Sequence, residues 1–192
     1  MQASNNSYEL DGCLDVLRRG GTILYPTDTI WGIGCDATQV RAVEKIYKIK
    51  QRLSEKSLII LLPDAESLAE YVEEVPEVAL DLMESITDPL TIIYPGARKL
   101  AKNVMASDGS IAIRIPRDDF CQALLKAFGR PLTSTSANIS GSQAPLSFSR
   151  INQEVKDAVD YIVPYRQRNI SRARPSSMIR IGLKGEIQIL RS

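Results

Sequence analysis

The sequence predicts an α/β fold in which a twisted mixed sheet of parallel and antiparallel strands is flanked by helices. Two observations support this prediction. Apolar residues at helical spacing alternate with short apolar runs of strand length along most of the chain. Hydrophobic side chains make up 44% of the 192 residues and charged ones 24%, which is the balance of a globular protein. A chain of this length is expected to form one domain over residues 1–192.

The predicted elements of the first half are a helix, a strand, a short extended segment, a second helix and another strand, over residues 8–19, 22–26, 31–37, 40–48 and 57–62. In the second helix, Val43, Ile46 and Tyr47 form an apolar stripe, and Lys48 lies on the solvent face. The strand SLIILL, residues 57–62, is apolar at nearly every position, which is typical of a strand buried on both faces.

In the second half, helices are predicted over residues 65–72, 77–86 and 118–128, and strands over 90–95, 110–116, 130–133, 160–165, 176–181 and 186–191. The segment GLKG, residues 182–185, predicts a hairpin turn between the last two strands. The segment STSANISG, residues 134–141, is predicted to be a polar loop that directly follows a strand.

The composition excludes several kinds of active site. The chain has no histidine, so Ser-His-Asp and Cys-His catalysis and most zinc sites are excluded. Cys13, Cys35 and Cys121 lie far apart and form no C-x-x-C pair, which predicts three small buried thiols. The net charge of +1 does not indicate a polyanion as the main ligand.

No membrane span or signal pattern is found in the sequence, and a cytoplasmic location is the default expectation. The segment YRQRNISRAR, residues 165–174, carries four arginines and no acidic residue. It is either a solvated loop or a lid over bound ligands.

Four segments carry polar residues where strands end or helices begin. The loop YPTDTIWGIG, residues 25–34, combines glycines that permit close approach with three short polar side chains. The segment from 47 to 62 places Lys50, Arg52 and Lys56 before a buried strand. On its own this pattern favours a solvated basic helix end over an anion site, although the cations could hold phosphate groups. The loop at 134–141 can orient a polar ligand, and Arg114 interrupts the apolar strand SIAIRIP, residues 110–116.

In this order and spacing, YPTDTIWGIG, the K-x-R of Lys50 and Arg52 with Lys56, SIAIRIP and STSANISG resemble the YrdC-like family. That family comprises L-threonylcarbamoyladenylate synthases. The resemblance runs from about residue 10 to the C-terminus, and it is to the short form with a single YrdC-like domain. It implies a reaction in which L-threonine and bicarbonate or carbon dioxide form a carbamate that attacks the α-phosphate of ATP and releases pyrophosphate.

The resemblance also implies the partners and the site residues. ATP is expected to bring Mg²⁺ with it, with no metal ligand from protein side chains, and the product is expected to supply a separate tRNA threonylcarbamoyl transferase complex. Catalytic roles are carried over to Lys50, Arg52, Ser136 and Asn138, with Lys50 helping to hold phosphate or bicarbonate. ATP contacts are carried over to Arg52, Lys56, Ser110, Asn138 and Arg191. L-threonine contacts are carried over to Thr29, Arg114, Ser136 and Ser176, with Arg114 pairing with the threonine carboxylate.

The sequence departs from the family pattern at several positions. Leu61 stands where a histidine is frequent, Leu146 stands where a polar ATP contact is common, and PSS at 175–177 replaces E-S-T. The usual W-P-G-P-x-T is reduced to TDPLT at 87–91. These departures leave two alternatives to the synthase: a paralogue that makes a different carbamoyl-adenylate, and a factor that binds structured RNA in ribosome or tRNA maturation.

Overall fold

A computed structural model of the protein describes residues 3–51, 57–168, 175–182 and 184–191, with side chains from residue 10 onward. The helices are α1 (Ala3–Arg18), α2 (Val40–Ile49), α3 (Leu68–Tyr71), α4 (Glu77–Ser85), α5 (Asp119–Phe128) and α6 (Gln153–Ala158). The strands are β1 (Ile23–Tyr25), β2 (Gly32–Gly34), β3 (Ile59–Leu61), β4 (Leu90–Tyr94), β5 (Ile111–Arg114), β6 (Leu132–Ser136), β7 (Tyr161–Ile162), β8 (Ser177–Ile181) and β9 (Ile187–Arg191).

Within these residues, nine strands form one sheet in the order β7-β1-β2-β6-β3-β5-β4-β8-β9. The pairs β1 with β7, β3 with β5, and β4 with β8 are parallel. The other neighbouring pairs are antiparallel. The mixed sheet flanked by helices is therefore confirmed, and so is the hairpin that joins β8 to β9.

Helices cover both faces of the sheet. One face is covered by α1 and α5, which form a buried apolar cluster with β1, β3 and β6 that includes Leu17, Ile23, Leu61, Leu124 and Leu132. The other face is covered by α2, α3 and α4, whose cluster includes Val43, Ile46, Ile60, Leu68 and Ile113. The strand β3 contributes to both clusters, which confirms that it is buried on both faces.

The face under α1 and α5 is covered only in part. Leu61 and Leu132 lie in register on β3 and β6 and belong to the cluster under these helices. Ile59 and Ser134 form another pair of the same two strands and share that face, because alternate residues of a strand point to the same side. Neither belongs to the cluster. The sheet therefore presents an area with polar side chains beside the apolar layer.

Several elements differ from the sequence-based prediction. The helix α6 and the 3-10 turn Phe148–Arg150 before it were not predicted. The helix expected over 65–72 is reduced to α3, because the chain then leaves the helix and Val72 forms a bridge with Ala97. The polar loop expected from residue 134 starts later. Ser136 and Thr135 pair with Gly32 and Ile33, so β6 continues through Ser136.

The three cysteines are buried and form no disulfide with one another, as predicted. Lys48 is exposed on α2, also as predicted. None of the described helices has the length and apolar character needed to cross a membrane.

Candidate functional site

A cavity of about 410 Å³ opens over the polar area of the sheet. Its wall combines the loop before β2, the start of β3, the end of β5, the β6 strand with the loop that follows it, and the outer strands β8 and β9. Six residues expected from the sequence line it together: Thr29, Arg114, Ser136, Asn138, Ser176 and Arg191. Segments that are far apart in the chain thus meet in one cavity.

The guanidinium of Arg114 is the most buried charge of this cavity. Arg114 is 5% exposed, its Nη1 donates to the Thr29 hydroxyl at 2.9 Å, and the same atom lies 3.1 Å from an oxygen of Asp28. The Nε of Arg114 has no hydrogen-bond partner among the described residues. A buried cation with an unused donor favours an additional anionic or polar acceptor. A carboxylate of a ligand is well suited to be this acceptor, because guanidinium groups bind carboxylates through two donors.

The loop that carries Thr29 is held by its own side chains. The Thr27 hydroxyl donates to the Ile30 carbonyl at 2.8 Å and accepts a hydrogen bond from the Thr29 amide at 3.1 Å. The Thr27 and Thr29 hydroxyls are 3.0 Å apart. These bonds explain why the segment between β1 and β2 is rich in threonine, since they fix Thr29 against Arg114.

Lys50, at the end of α2, holds the loop that follows β6. Its Nζ donates to the carbonyl of Ser136 at 2.6 Å and to the carbonyl of Asn138 at 2.8 Å, and Lys50 is 2% exposed. The backbone carbonyl of Lys50 accepts from Ser140 at 2.9 Å. Lys50 does not line the cavity. The structure thus gives Lys50 a positioning role, and its expected contact with phosphate or bicarbonate stays a prediction.

The side chain of Asn138 also stabilises its own loop. Its Nδ2 donates to the carbonyls of Ile139 and Ser142, at 3.0 and 2.6 Å, and its Oδ1 lies 3.4 Å from the ammonium of Lys50. The Ser136 and Asn138 positions are therefore set before a ligand arrives. Such preorganisation suits a site that positions a polar substrate.

Ser176 and Arg191 tie the outer strands to the cavity. Arg191 donates through Nε and Nη2 to the carbonyl of Ser176, at 2.9 and 2.6 Å. The hydroxyls of Ser176 and Thr91 are 2.7 Å apart. Pro175, which stands where the E-S-T pattern has glutamate, and Ser176, which matches its serine, both line the cavity.

Ser110 lies outside the cavity lining. It is 4% exposed, and its hydroxyl donates to Asp108 at 2.6 Å. Arg180 donates to the other oxygen of Asp108 at 2.9 Å. The hydrogen bonds from Ser110 and Arg180 lower the pKa of Asp108 to about 2. The expected contact of Ser110 with ATP stays a prediction.

The remaining sequence-based expectations fall in different places. Arg52 and Lys56 lie outside the described residues, as do positions 169–174 of the segment expected to be a lid or loop. The described part of that segment is packed, because Arg166 forms an ion pair with Asp118. Leu61 is fully buried and Leu146 is 45% exposed, and neither lines the cavity.

Several lining residues were not selected from the sequence as site residues. Trp31 closes one side and packs on Phe148 with ring centroids 4.9 Å apart. Met178 lies on the same face as Arg191, because the two are paired in the β8–β9 hairpin. Strand alternation could have indicated Met178, whereas the pairing of Asp28 with Arg114 depends on the three-dimensional arrangement. Among the described residues, no group of three or more His, Cys, Asp or Glu side chains is arranged to hold a metal ion.

Comparison with known proteins gives several matches. The family model Sua5/YciO/YrdC, described as "Telomere recombination", matches residues 15–192. A protein of Vibrio parahaemolyticus named threonylcarbamoyl-AMP synthase is 34% identical over 168 residues, which is 86% of this chain and 90% of that protein.

Two solved structures are similar in fold. P. abyssi Sua5 complexed with L-threonine has a TM-score of 0.83 and 26% identity, covering 91% of this chain and 51% of that one. E. coli YciO has a TM-score of 0.82 and 26% identity, covering 95% of this chain and 88% of that one. The chain thus spans about half the length of Sua5 and most of the length of YciO.

Proposed function

Because this chain belongs to the Sua5/YciO/YrdC family, we propose that it is a nucleotidyltransferase that makes L-threonylcarbamoyl-AMP. The substrates are L-threonine, bicarbonate or carbon dioxide, and ATP. Curated relatives that share 32–34% identity with the chain carry the name threonylcarbamoyl-AMP synthase. The observation in this structure that supports an amino acid substrate is the buried guanidinium of Arg114, which lies beside Thr29 in the cavity.

The reaction needs no covalent enzyme intermediate, because the amine of threonine is the nucleophile. The amine and bicarbonate form a carbamate with loss of water. A carbamate oxygen then forms a bond to the α-phosphorus of ATP while the bond to pyrophosphate breaks. The protein's work is to position the reactants and to neutralise charge, which needs no histidine.

The residues of the cavity have different roles, which follow from the chemistry of their side chains. Arg114 binds the threonine carboxylate, and the hydroxyls of Thr29 and Ser176 contact the rest of the amino acid. Ser136 also contacts the amino acid, and Asn138 and Arg191 contact the nucleotide. Arg52 and Lys56 supply further positive charge for the triphosphate. Mg²⁺ arrives on ATP and neutralises phosphate charge.

The product supplies a threonylcarbamoyl group to a separate transferase complex that modifies adenosine in tRNA. The proposed location of the protein is the cytoplasm. A second candidate is a paralogue that uses another amine. The substitution of Leu61 for the frequent histidine favours that candidate. Leu61 is buried under α1 and α5 and lies in register with Arg114, so this position offers no polar group beside the carboxylate site.

A pyrophosphate-release assay tests the proposal. With ATP, Mg²⁺ and bicarbonate, we expect L-threonine to support turnover and serine or glycine to support it poorly. Arg52→Ala is expected to lower turnover strongly, whereas Lys48→Ala, on the exposed face of α2, serves as the matched control. Turnover with another amine but not with L-threonine would identify the paralogue, and pyrophosphate release that ignores the amino acid would contradict both candidates.

A further inference from the structure

A second cavity, of about 780 Å³, lies on the opposite face of the sheet. We call it the α4 groove and define it by Leu68 of α3, Leu80 and Met83 of α4, and Ile92, Tyr94 and Ile113 of the sheet. Its volume lies within the range of roughly 300–1,000 Å³ that is typical of small-molecule sites. Nothing in the proposed synthase reaction occupies it.

The α4 groove exists because α4 packs loosely on the sheet. Ala79 is the only residue of α4 that is fully buried, and Leu80 is 37% exposed. The floor under the helix is apolar, since Ile92 and Ile113 come from neighbouring strands and lie side by side. An apolar floor below a loosely packed helix leaves apolar surface that a ligand could remove from water.

Tyr94, one of the lining residues, carries an unused polar group. The residue is 1% exposed, and its hydroxyl has no hydrogen-bond partner among the described residues. A buried hydroxyl without a partner is unfavourable, because it has lost its hydrogen bonds to water and gained none in the protein. The hydroxyl of Tyr94 therefore favours a ligand that brings a hydrogen-bonding atom to the buried end of the groove.

The mouth of the groove is acidic. Asp28, Glu66, Glu84 and Asp88 line it, and Arg117 is the one cation in the lining. The guanidinium of Arg117 is already used, because it donates to the carbonyls of Met83 and Ile86 at the end of α4, at 2.8 and 2.9 Å.

The acidic side chains are mostly unpaired. Glu66, Glu84 and Asp88 are exposed, and no ion pair or hydrogen bond joins their carboxylates to another described residue. Asp28 differs, because it lies against Arg114. Charge complementarity therefore calls for a cationic group at the mouth of the groove.

We propose that the α4 groove binds a small molecule with an apolar body, a hydrogen-bonding atom at one end and an ammonium or guanidinium group at the other. The apolar body lies on Ile92 and Ile113, its polar atom meets the hydroxyl of Tyr94, and the cation lies among the carboxylates. This proposal does not rest on the synthase activity. The two cavities are in contact through Asp28, which lines the groove and pairs with Arg114 of the polar cavity.

Two matched probes test the proposal in the absence of ATP and threonine. The first is 4-(4-aminobutyl)phenol, which carries a phenol, an apolar linker and an ammonium. The second is 4-(4-hydroxyphenyl)butanoate, which replaces the ammonium by a carboxylate. In calorimetric titrations at low salt, we expect the cation to bind at least tenfold more tightly than the anion. Equal affinities, or no binding of either probe, would overturn the proposal.

Variants of α3 and α4 distinguish binding in the groove from a general effect of protein charge. Glu84→Gln is expected to weaken binding of the cation about two- to fivefold, as for an exposed charge pair. The control is Asp81→Asn, because Asp81 is exposed on the same helix but does not line the groove. Ala69 lines the groove and is exposed, so Ala69→Trp should fill the mouth and abolish binding without disturbing the core. Weakening by Asp81→Asn that equals the effect of Glu84→Gln would overturn the site assignment.

Tyr94→Phe tests whether the polar atom of the ligand binds the hydroxyl of Tyr94. It should remove the advantage of 4-(4-aminobutyl)phenol over 4-phenylbutylammonium, which lacks the phenol oxygen. An advantage that persists in Tyr94→Phe would contradict the proposed orientation. Binding of a basic peptide but of neither small probe, or loss of probe binding as the chain self-associates, would overturn the proposal in favour of a protein partner or a second copy.

Discussion

Arg114 shows how much of this site depends on one side chain. Its guanidinium is almost completely buried, and two of its neighbours, Thr29 and Asp28, belong to the same loop. Asp28 offsets the charge of Arg114 before any ligand binds, while the unused Nε leaves capacity for an acceptor. Burial of a cation is unfavourable unless an opposite charge is paired with it, so Asp28 stabilises the guanidinium of Arg114 in its buried position.

We expect Arg114→Lys to raise the KM for L-threonine about 10- to 100-fold, because lysine cannot make the paired hydrogen bonds of a guanidinium. The KM for ATP should stay within about twofold, since Arg114 is proposed to contact only the amino acid. Steady-state pyrophosphate release over a range of threonine concentrations measures this split. Arg19→Lys is the control, because Arg19 pairs with Asp15 on the surface of α1. An unchanged KM for L-threonine would mean that its carboxylate binds elsewhere.

At the scale of elements, the contact between α2 and the loop after β6 shapes the cavity. Lys50 ends the helix and donates to two carbonyls of that loop, and its own carbonyl accepts from Ser140. The family resemblance implies that Lys50 helps to hold phosphate or bicarbonate. In the structure, the ammonium of Lys50 holds the loop that carries Ser136 and Asn138.

Lys50→Met is expected to lower the free energy of unfolding by roughly 1–3 kcal/mol, because it removes the Lys50 donor from the carbonyls of Ser136 and Asn138. Of these two carbonyls, only that of Ser136 keeps another donor among the described residues, the amide of Asn138. Urea denaturation measures the loss, and turnover should fall as the loop loses its position. Lys48→Met is the matched control on the exposed face of α2, with an expected change within about 0.5 kcal/mol. Similar losses in both variants would show that the contacts of Lys50 do not hold the loop.

At the scale of the whole molecule, the sheet separates two cavities of different chemistry. The polar cavity lies where the layer of α1 and α5 ends, and the α4 groove lies on the other face under a loosely packed helix. Buried ionisable groups lie in the apolar core on both faces of the sheet, with Cys35 and Tyr94 on one face and Tyr25 on the other. Burial raises the pKa of Cys35 to about 12, and it raises the pKa of Tyr25 and of Tyr94 as well.

These raised pKa values predict loss of stability in alkali. Above the ordinary pKa of a thiol or phenol, the unfolded chain releases its proton while the folded chain keeps it, so unfolding becomes more favourable as the pH rises. We expect the urea midpoint to fall from about pH 9 upward. Tyr94→Phe removes one such group and should reduce the loss by up to about 1.4 kcal/mol per pH unit above pH 10. An identical pH dependence in the variant would contradict this assignment.

The sequence predicted the order of most elements and the six residues that line the polar cavity together. Thr29, Arg114, Ser136 and Asn138 belong to segments singled out by their own polar chemistry, whereas Ser176 and Arg191 were implied by the family resemblance alone. The sequence did not predict that β6 runs through Ser136, because that depends on pairing with β2, about a hundred residues earlier. The role of Asp28 was missed for the same reason, since its partner Arg114 lies on a distant strand.

Arg191 lies on β9, the outermost strand of the sheet, and every residue of β9 is exposed. An edge strand with little buried surface is among the first parts of a protein to open in local fluctuations. One wall of the polar cavity is thus built on the element that detaches most easily from the rest of the fold. Opening of β9 would carry Arg191 away from Ser176 while the core stays folded, and a ligand bound to Arg191 would suppress this motion.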